Sequence, residues 1–130
     1  MVISVAQAPV FSVVPGKGEY IVFPSTVSGT VARPVVPVPT KQTAGLYVFE
    51  TVYGHTVVGP TNVRQPSKTD RTVSVDSMTS LMSHIVNLYP SITKATPLGV
   101  YAGLRPATQH QDYCIHFDLA RGWVTVGGIR

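Results

Sequence analysis

The chain has 130 residues, of which 44% are hydrophobic and only 12% are charged. This length suits one domain with its own hydrophobic core, and the apolar composition excludes an intrinsically disordered chain. Ten basic residues against six acidic ones give a net charge of +4, but the basic residues are scattered along the chain, which disfavours a nucleic-acid-binding surface.

The single cysteine limits the redox chemistry of the chain. Cys114 has no partner for an internal disulfide, and a lone cysteine disfavours a cysteine-based metal site. Its apolar neighbours predict a buried thiol. No apolar stretch reaches the roughly 18 residues of a membrane-spanning helix, and the N-terminus lacks the pattern of a secretory signal. We therefore expect a soluble protein from a reducing, intracellular compartment.

The first half of the chain is rich in strand signals. Residues 19–24, EYIVFP, predict a strand that ends at its proline. Residues 32–40 are extended, but their three prolines restrict them to an edge strand or a polyproline-like segment, because proline cannot donate a hydrogen bond to a sheet. Residues 45–61 predict a β-hairpin with its turn near Tyr53–His55, and residues 62–72 predict a polar loop.

One amphipathic helix is predicted over residues 75–89. Its apolar residues recur at the spacing of one helical face, and they comprise Val75, Met78, Leu81, Met82, Ile85, Val86 and Tyr89. Ser74 is placed to cap the N-terminus, Asp76 suits the helix dipole, and Pro90 ends the pattern. We expect the two methionines, Met78 and Met82, to pack in the core.

Three further strands are predicted, at residues 98–107, 112–119 and 122–129. The middle one alternates apolar with polar or small residues, the period of two that typifies a half-buried strand; its apolar positions are Tyr113, Ile115 and Phe117. Together the elements predict an α+β fold, with an antiparallel or mixed sheet of about six to seven strands covered by one main helix. The last strand runs into a glycine pair, from which we expect the chain to be a piece of a longer protein.

Motifs that carry enzyme chemistry are sparse. The glycines of residues 15–20, PGKGEY, lack the third glycine and the following helix of a dinucleotide site, so we interpret them as a turn. The four histidines form no metal-binding pattern, and no metal site is predicted. Among them His55 is the best placed for catalysis, because it lies at the predicted hairpin tip beside a glycine.

Arg105 is the most informative polar residue. It lies in the apolar segment GVYAGLRPAT, residues 99–108, where its permanent charge requires an anion, carbonyl groups or water. The side chain either reaches solvent from the end of a strand or binds a carboxylate or phosphate through its planar fork. Pro106 would fix the backbone just after it. The residues alone leave both alternatives open.

Five short segments carry a family resemblance through their order and spacing. They are PGKGEYIVF (15–23), VPVPTKQTAGLYVFETVYGHTVVGPT (36–61), LYP (88–90), YAGLRPA (101–107) and VTVGGI (124–129). This set resembles FAD-dependent oxidoreductases of the D-amino-acid-oxidase-like superfamily, in the branch of glycerol-3-phosphate dehydrogenase and 2-hydroxyglutarate oxidase. The resemblance implies that residues 1–130 form a single substrate-binding (cap) domain, and that the flavin-binding dinucleotide domain lies elsewhere in the same polypeptide.

The resemblance also implies roles for particular residues. Arg105 would bind the acidic group of a small substrate, a hydroxy or amino acid or glycerol 3-phosphate, which the full-length flavoprotein oxidises by hydride transfer to the flavin. Gly127, Gly128 and Arg130 would lie near the cofactor. FAD is expected to be held by the full-length protein and not by this chain alone, so the chain by itself is expected to be inactive.

The identity of the acid–base residue stays open. Relatives often place a histidine before the turn glycine of the hairpin, whereas here Tyr53 precedes Gly54 and His55 follows it. Tyr53 and His55 are therefore candidates, and neither is assigned. Two alternatives to the oxidoreductase remain: a free-standing, β-rich basic module that binds an anionic ligand or nucleic acid, and an interaction or structural protein without a small-molecule site.

Overall fold

The computed structural model describes residues 11–25, 33–40, 45–110 and 112–129. In these ranges the chain forms seven strands, one α-helix and a short 3₁₀ helix. In chain order they are β1 (Gly16–Phe23), β2 (Tyr47–Glu50), β3 (Thr56–Gly59), β4 (Val63–Arg64), α1 (Val75–Ile85), the 3₁₀ helix (Pro90–Lys94), β5 (Gly99–Arg105), β6 (Cys114–Asp118) and β7 (Trp123–Gly127). The predicted α+β class is confirmed.

Five of these strands form one antiparallel sheet around β1. β5 pairs with β1 along residues 16–22, so β3 and β4 share the opposite edge of β1, and β2 extends the sheet beyond β3. β6 and β7 pair only with each other among the described residues. We predicted one sheet, and the strands instead divide into two sheets of five and two.

One face of the five-stranded sheet packs against α1. The buried side chains of this core are Ile21, Phe23, Leu46, Val48, Val58, Leu81, Ile85, Tyr89 and Ile92. Removing one such side chain from water stabilises the fold by about 1.5–3 kcal/mol. Met78 and Met82 are partly buried against the same cluster, as predicted.

The helix is shorter than the predicted range, 75–89. Ser74 caps its N-terminus as predicted, because its side-chain oxygen accepts a hydrogen bond from the first turn at 3.1 Å. The α-helix ends at Ile85, and Tyr89 has φ −141° and ψ 74°. A residue that precedes proline avoids the helical conformation, and Pro90 then begins the 3₁₀ helix.

The hairpin and the proline-rich segment lie where their sequences indicate. β2 and β3 pair antiparallel, and the turn between them uses Gly54 at φ +79°, a backbone conformation that favours glycine. In the segment 33–40, Val35 and Val48 exchange backbone hydrogen bonds of 2.8 and 2.9 Å. The segment therefore follows the outer edge of β2, where the lack of proline donors costs nothing.

The small sheet exposes its apolar side. β6 alternates as predicted, but the half-buried positions are those of Cys114, His116 and Asp118. Four apolar side chains on the other face are between 48% and 61% exposed; we call this the β6–β7 apolar face, and it comprises Ile115, Phe117, Val124 and Val126. The prediction of a buried Cys114 thiol is therefore wrong: the thiol is half-buried.

Candidate functional site

The face of the five-stranded sheet opposite α1 is built from glycines, tyrosines and one arginine. Directly opposed residues of an antiparallel pair project from the same face, and β1 and β5 contribute four such pairs to it. The pairs are Gly16 with Arg105, Gly18 with Gly103, Tyr20 with Tyr101, and Val22 with Gly99. We call this surface the open face.

The Arg105 side chain folds back across the open face, so that its guanidinium lies over Gly18. A Cβ atom at Gly18 would stand 2.8 Å from Nη2 and 3.1 Å from Cζ, so a side chain there would displace the guanidinium. Nη1 donates a hydrogen bond of 3.4 Å to the carbonyl of Thr61. Within the described ranges this is the one hydrogen bond of a half-buried guanidinium, whose other N–H groups are available to an anion.

A pair of tyrosines occupies the next positions of β1 and β5 on the open face, beyond Gly18 and Gly103. The rings of Tyr20 and Tyr101 stack with their centroids 4.6 Å apart and their planes within 8°. The Tyr20 ring also covers Gly59, where an added Cβ would lie 2.7 Å from its Cδ1 atom. Burial, with a smaller contribution from Tyr20, raises the pKa of the Tyr101 hydroxyl. Tyr101 therefore stays protonated at neutral pH and can donate a hydrogen bond.

Two glycines of β5 leave open space. A Cβ atom added at Gly103 or Gly99 would meet no described atom within 4 Å. Gly103 is paired with Gly18 and so lies beside the guanidinium, whereas Gly99 is paired with Val22, on the far side of Tyr101. Next to Arg105, the open face at Gly18 and Gly103 therefore consists of backbone without side chains.

A buried ionic group lies behind the open face. The Glu19 carboxylate is fully buried, with Oε1 3.5 Å from Lys17 Nζ and 3.0 Å from the Ser74 amide that donates to it. Oε2 accepts a 2.8 Å hydrogen bond from the Thr61 hydroxyl. Burial disfavours the charged form, but hydrogen bonds from Ser77, Ser74 and Thr61, together with the Lys17 charge, outweigh it and lower the pKa of Glu19.

Thr61 connects this buried carboxylate to Arg105. Its hydroxyl accepts from the Glu19 amide at 3.0 Å, its own amide donates to the Glu19 carbonyl at 3.1 Å, and its carbonyl accepts from the guanidinium.

Sequence reasoning missed Glu19, although a signal existed. Phe23 and Ile21 set the buried phase of β1, and a period of two places Glu19 on the same face.

The structure does not bring Tyr53 and His55 to Arg105. Both belong to the turn that leads into β3, whose first residue pairs with Phe23 of β1. Five residues of extended strand, about 16 Å, separate Phe23 from Gly18, which underlies the guanidinium. The Tyr53 side chain is 82% exposed. Within this chain, therefore, neither candidate shares a site with the arginine.

The glycine pair at the end of β7 is packed against the chain itself. Gly127 and Gly128 are both buried; a Cβ atom at Gly127 would collide with the ring of Phe11, and one at Gly128 with the carbonyl of Asp112. Gly128 also has φ +77°. Arg130 lies outside the described residues. Internal packing accounts for both glycines, and the proximity of all three residues to a cofactor stays a prediction.

The described residues hold no cluster of metal ligands, and the glycines of residues 15–20 do not form a pyrophosphate site. No three His, Cys, Asp or Glu side chains in them converge as metal ligands would. The predicted turn at residues 15–20 is wrong: Gly16 and Gly18 lie inside strand β1, and because no helix follows them the amides of a helix N-terminus are missing from that motif. No helix in the described ranges has the length and apolarity needed to cross a membrane.

Comparison with known proteins identifies relatives that are three to four times longer. Residues 3–130 match the family described as FAD dependent oxidoreductase (DAO). The chain is 28% identical over 122 residues to a glycerol 3-phosphate dehydrogenase from Caloramator mitchellensis, covering 90% of this chain and 25% of that protein.

Solved structures of two oxidases also resemble the chain. The L-alpha-glycerophosphate oxidase from Mycoplasma pneumoniae, dithionite-reduced and with FAD bound, is 26% identical with a TM-score of 0.73, covering 91% of this chain and 32% of that one. The glycine oxidase from Bacillus cereus shares the fold, at 23% identity and a TM-score of 0.66, covering 81% and 26%. The chain spans about a quarter to a third of the length of these relatives. The family match over nearly all of its residues shows that the chain belongs to the FAD-dependent oxidoreductases of the DAO family.

Proposed function

We propose that this chain is the substrate-binding part of a longer FAD-dependent oxidoreductase, in which Arg105 anchors the anionic group of the substrate. The observation that carries the proposal is the half-buried guanidinium above Gly18, with one hydrogen bond among the described residues. Such a planar fork, held against a rigid sheet, suits a carboxylate or phosphate that accepts two parallel hydrogen bonds.

The substrate class follows from this anchor and from the relatives. A small anionic hydroxy acid, amino acid or glycerol 3-phosphate fits a site that has one positive group beside two tyrosines. The names of two relatives above 25% identity, a glycerol 3-phosphate dehydrogenase and a glycerophosphate oxidase, support this class. Arg105 would bind and orient the substrate, while the flavin would supply the redox chemistry.

The cofactor would be held by another part of the polypeptide. The G-x-G glycines of this chain lie within strand β1 and offer no helix N-terminus to the pyrophosphate of FAD, so this motif fits the cofactor poorly. The β6–β7 apolar face supports the presence of a covering partner, because four adjacent apolar side chains are seldom left in water without a role. We assign that partner to the flavin-binding part of the same chain.

The proposal is tested by replacing Arg105 in the full-length flavoprotein. Arg105→Ala is expected to weaken the binding of anionic substrates by 10- to 100-fold, since a hydrogen bond to a charged group contributes about 1.5–3 kcal/mol. Anaerobic titration with glycerol 3-phosphate and with 2-hydroxy and 2-amino acids, followed through the flavin absorbance, measures this change. Arg71→Ala removes an exposed arginine from the loop before α1 and is the matched control.

Two results would contradict the proposal. Equal affinities for Arg105→Ala and Arg71→Ala would reject the anchor. A purified full-length protein that carries no FAD, and takes none up when it is supplied, would reject the assignment to a flavin enzyme. Binding by Arg105→Lys at an intermediate affinity would support two parallel hydrogen bonds, because an ammonium group supplies the charge without the fork.

A further inference from the structure

We propose that the space above Gly103 is a subsite for the part of the substrate next to its anionic group, and that its size limits what can be bound there. The inference rests on the proposed function, since it requires Arg105 to hold the anion. It adds a specificity determinant, which is the absence of a side chain at position 103.

The position of Gly103 in the sheet defines this subsite. Gly103 is directly opposed to Gly18, so the guanidinium above Gly18 lies at its side. The next residues of β5 on the same face are Tyr101 and Arg105, which place a phenol ring at one end and the arginine stem at the other. Their Cα atoms are about 13 Å apart by strand geometry, and both side chains reduce that gap. An anion bound to Arg105 therefore has its neighbouring atoms above Gly103.

Two other glycines of the open face, Gly18 and Gly59, have internal explanations. Gly18 gives room to the guanidinium and Gly59 gives room to the Tyr20 ring. A Cβ atom added at Gly103 would meet no described atom within 4 Å, and Gly103 has no φ angle in the left-handed region that would require glycine. Glycine inside a strand nevertheless costs about 0.5–1 kcal/mol relative to alanine. Gly99 is equally open, but only Gly103 lies beside the guanidinium, and we assign the space above Gly103 to the substrate.

Gly99 provides a matched control on the same strand. An added Cβ atom would likewise meet no described atom within 4 Å, and its φ angle is likewise not left-handed. It is the first residue of β5 and lies beyond Tyr101, two same-face positions away from Gly103. Gly99→Ala and Gly103→Ala thus make the same chemical change on the same face, but only the second would narrow the subsite.

The experiment uses the full-length flavoprotein and two graded series of anions. The carboxylates are acetate, propionate, isobutyrate and pivalate, and the phosphates are methyl, isopropyl and tert-butyl phosphate. Dissociation constants come from the flavin absorbance, and the rise in Tm on adding each anion gives an independent reading. In Gly103→Ala we expect the branched members to lose about tenfold or more in affinity relative to the smallest member, because a methyl group without room costs at least that much.

Gly99→Ala should bind both series as the unaltered protein does. The series that shows the size dependence also distinguishes a carboxylate substrate from a phosphate substrate. If Gly103→Ala follows the unaltered protein, or weakens all members equally, the inference is overturned. Loss of folding in Gly103→Ala but not in Gly99→Ala would also overturn it, because position 103 would then be packed against another part of the protein.

Failure of this inference and failure of the proposed function give different results. If Arg105→Ala binds every anion as tightly as the unaltered protein, the anchor itself is wrong. If Arg105→Ala loses binding while Gly103→Ala behaves like Gly99→Ala, the anchor stands and only the size limit is wrong. If neither series binds the unaltered protein, both are wrong.

Discussion

Glu19 is charged although it lies on the core face of β1, and its neighbours explain how that charge is tolerated. Its two oxygens are met by the Ser74 amide, by the Thr61 hydroxyl and by the Lys17 ammonium group. Lys17 in turn donates a 2.7 Å hydrogen bond to the Thr72 carbonyl. Each hydrogen bond joins β1 to the chain between β3 and α1, so this carboxylate holds that connection against the sheet.

Replacing Glu19 by glutamine should destabilise the protein in a pH-dependent way. The glutamine oxygen can still accept from the Ser74 amide, but its NH2 group then faces the Thr61 hydroxyl and the Lys17 ammonium loses its counter-charge, at a cost of about 3 kcal/mol at pH 7. Because the folded pKa of Glu19 is lowered, its stabilising effect is fully present above the ordinary value of 4.5 and is lost as the pH falls through the lowered one. The gap in Tm between the unaltered protein and Glu19→Gln should therefore narrow below about pH 4.5.

Thermal unfolding of the full-length protein between pH 7 and pH 3.5 measures this gap. The exposed carboxylate of Glu50 provides the control, and Glu50→Gln should leave Tm nearly unchanged at each pH. A gap for Glu19→Gln that does not change with pH would show that the carboxylate contributes through its shape rather than through its charge.

At the scale of elements, α1 depends on its cap. Ser74→Ala should destabilise the protein by about 1 kcal/mol, because the N-terminal amide that now donates to the Ser74 oxygen at 3.1 Å would lose its partner. Ser80→Ala, on the exposed middle of the same helix, should be neutral or slightly stabilising, because alanine has the higher helix propensity. Denaturant unfolding distinguishes the two, and equal effects would show that the cap contributes nothing.

Elements with a strong local pattern could be predicted from the sequence, and those defined by distant contacts could not. The hairpin, the cap of α1 and the edge position of residues 33–40 follow from glycine, serine and proline acting on their own neighbourhood. β4 has two residues and exists because Val63 and Arg64 meet the start of β1. The division into two sheets is a matter of pairing between segments far apart in sequence, which no local periodicity encodes.

The candidate site was predictable to a similar degree. Arg105 stood out because a charge in an apolar strand demands a partner, and the structure shows it half-buried over Gly18. The partners that shape its surroundings could not be found in the same way. Only the pairing of β1 with β5 brings Gly18, Gly103 and Tyr101 next to the arginine. The sequence of residues 15–20 by itself indicates a turn.

At the scale of the whole molecule, β6 shows that a single sequence does not determine which face of a strand is buried. Alternation gives the period of a strand, but which of its faces is covered depends on what packs there. In the described residues nothing covers the β6–β7 apolar face, whereas the polar positions, His116 among them, are half-buried. The relatives are three to four times longer, and the additional chain in them provides candidates for the missing cover.

A polar substitution on the β6–β7 apolar face tests that cover. Phe117→Ser in the full-length flavoprotein should lower Tm and release FAD more readily, because burial of such a side chain is worth about 1.5–3 kcal/mol. Val52→Ser changes a 95% exposed side chain in the hairpin turn and should do neither. If Phe117→Ser behaves like Val52→Ser, this face is exposed in the complete protein as well.

Strand β1 places small glycines on the open face and a carboxylate on the core face. This alternation keeps the carboxylate away from the proposed anion site. Gly18 lies under the Arg105 guanidinium, while Glu19 points to the core on the other side of the sheet. A slip of β1 by one residue would turn Glu19 toward the guanidinium and would leave glycines against the core. The protein would then neutralise its own arginine before any substrate arrived. The sheet thus acts as an electrostatic partition that keeps an internal carboxylate from competing with an external one.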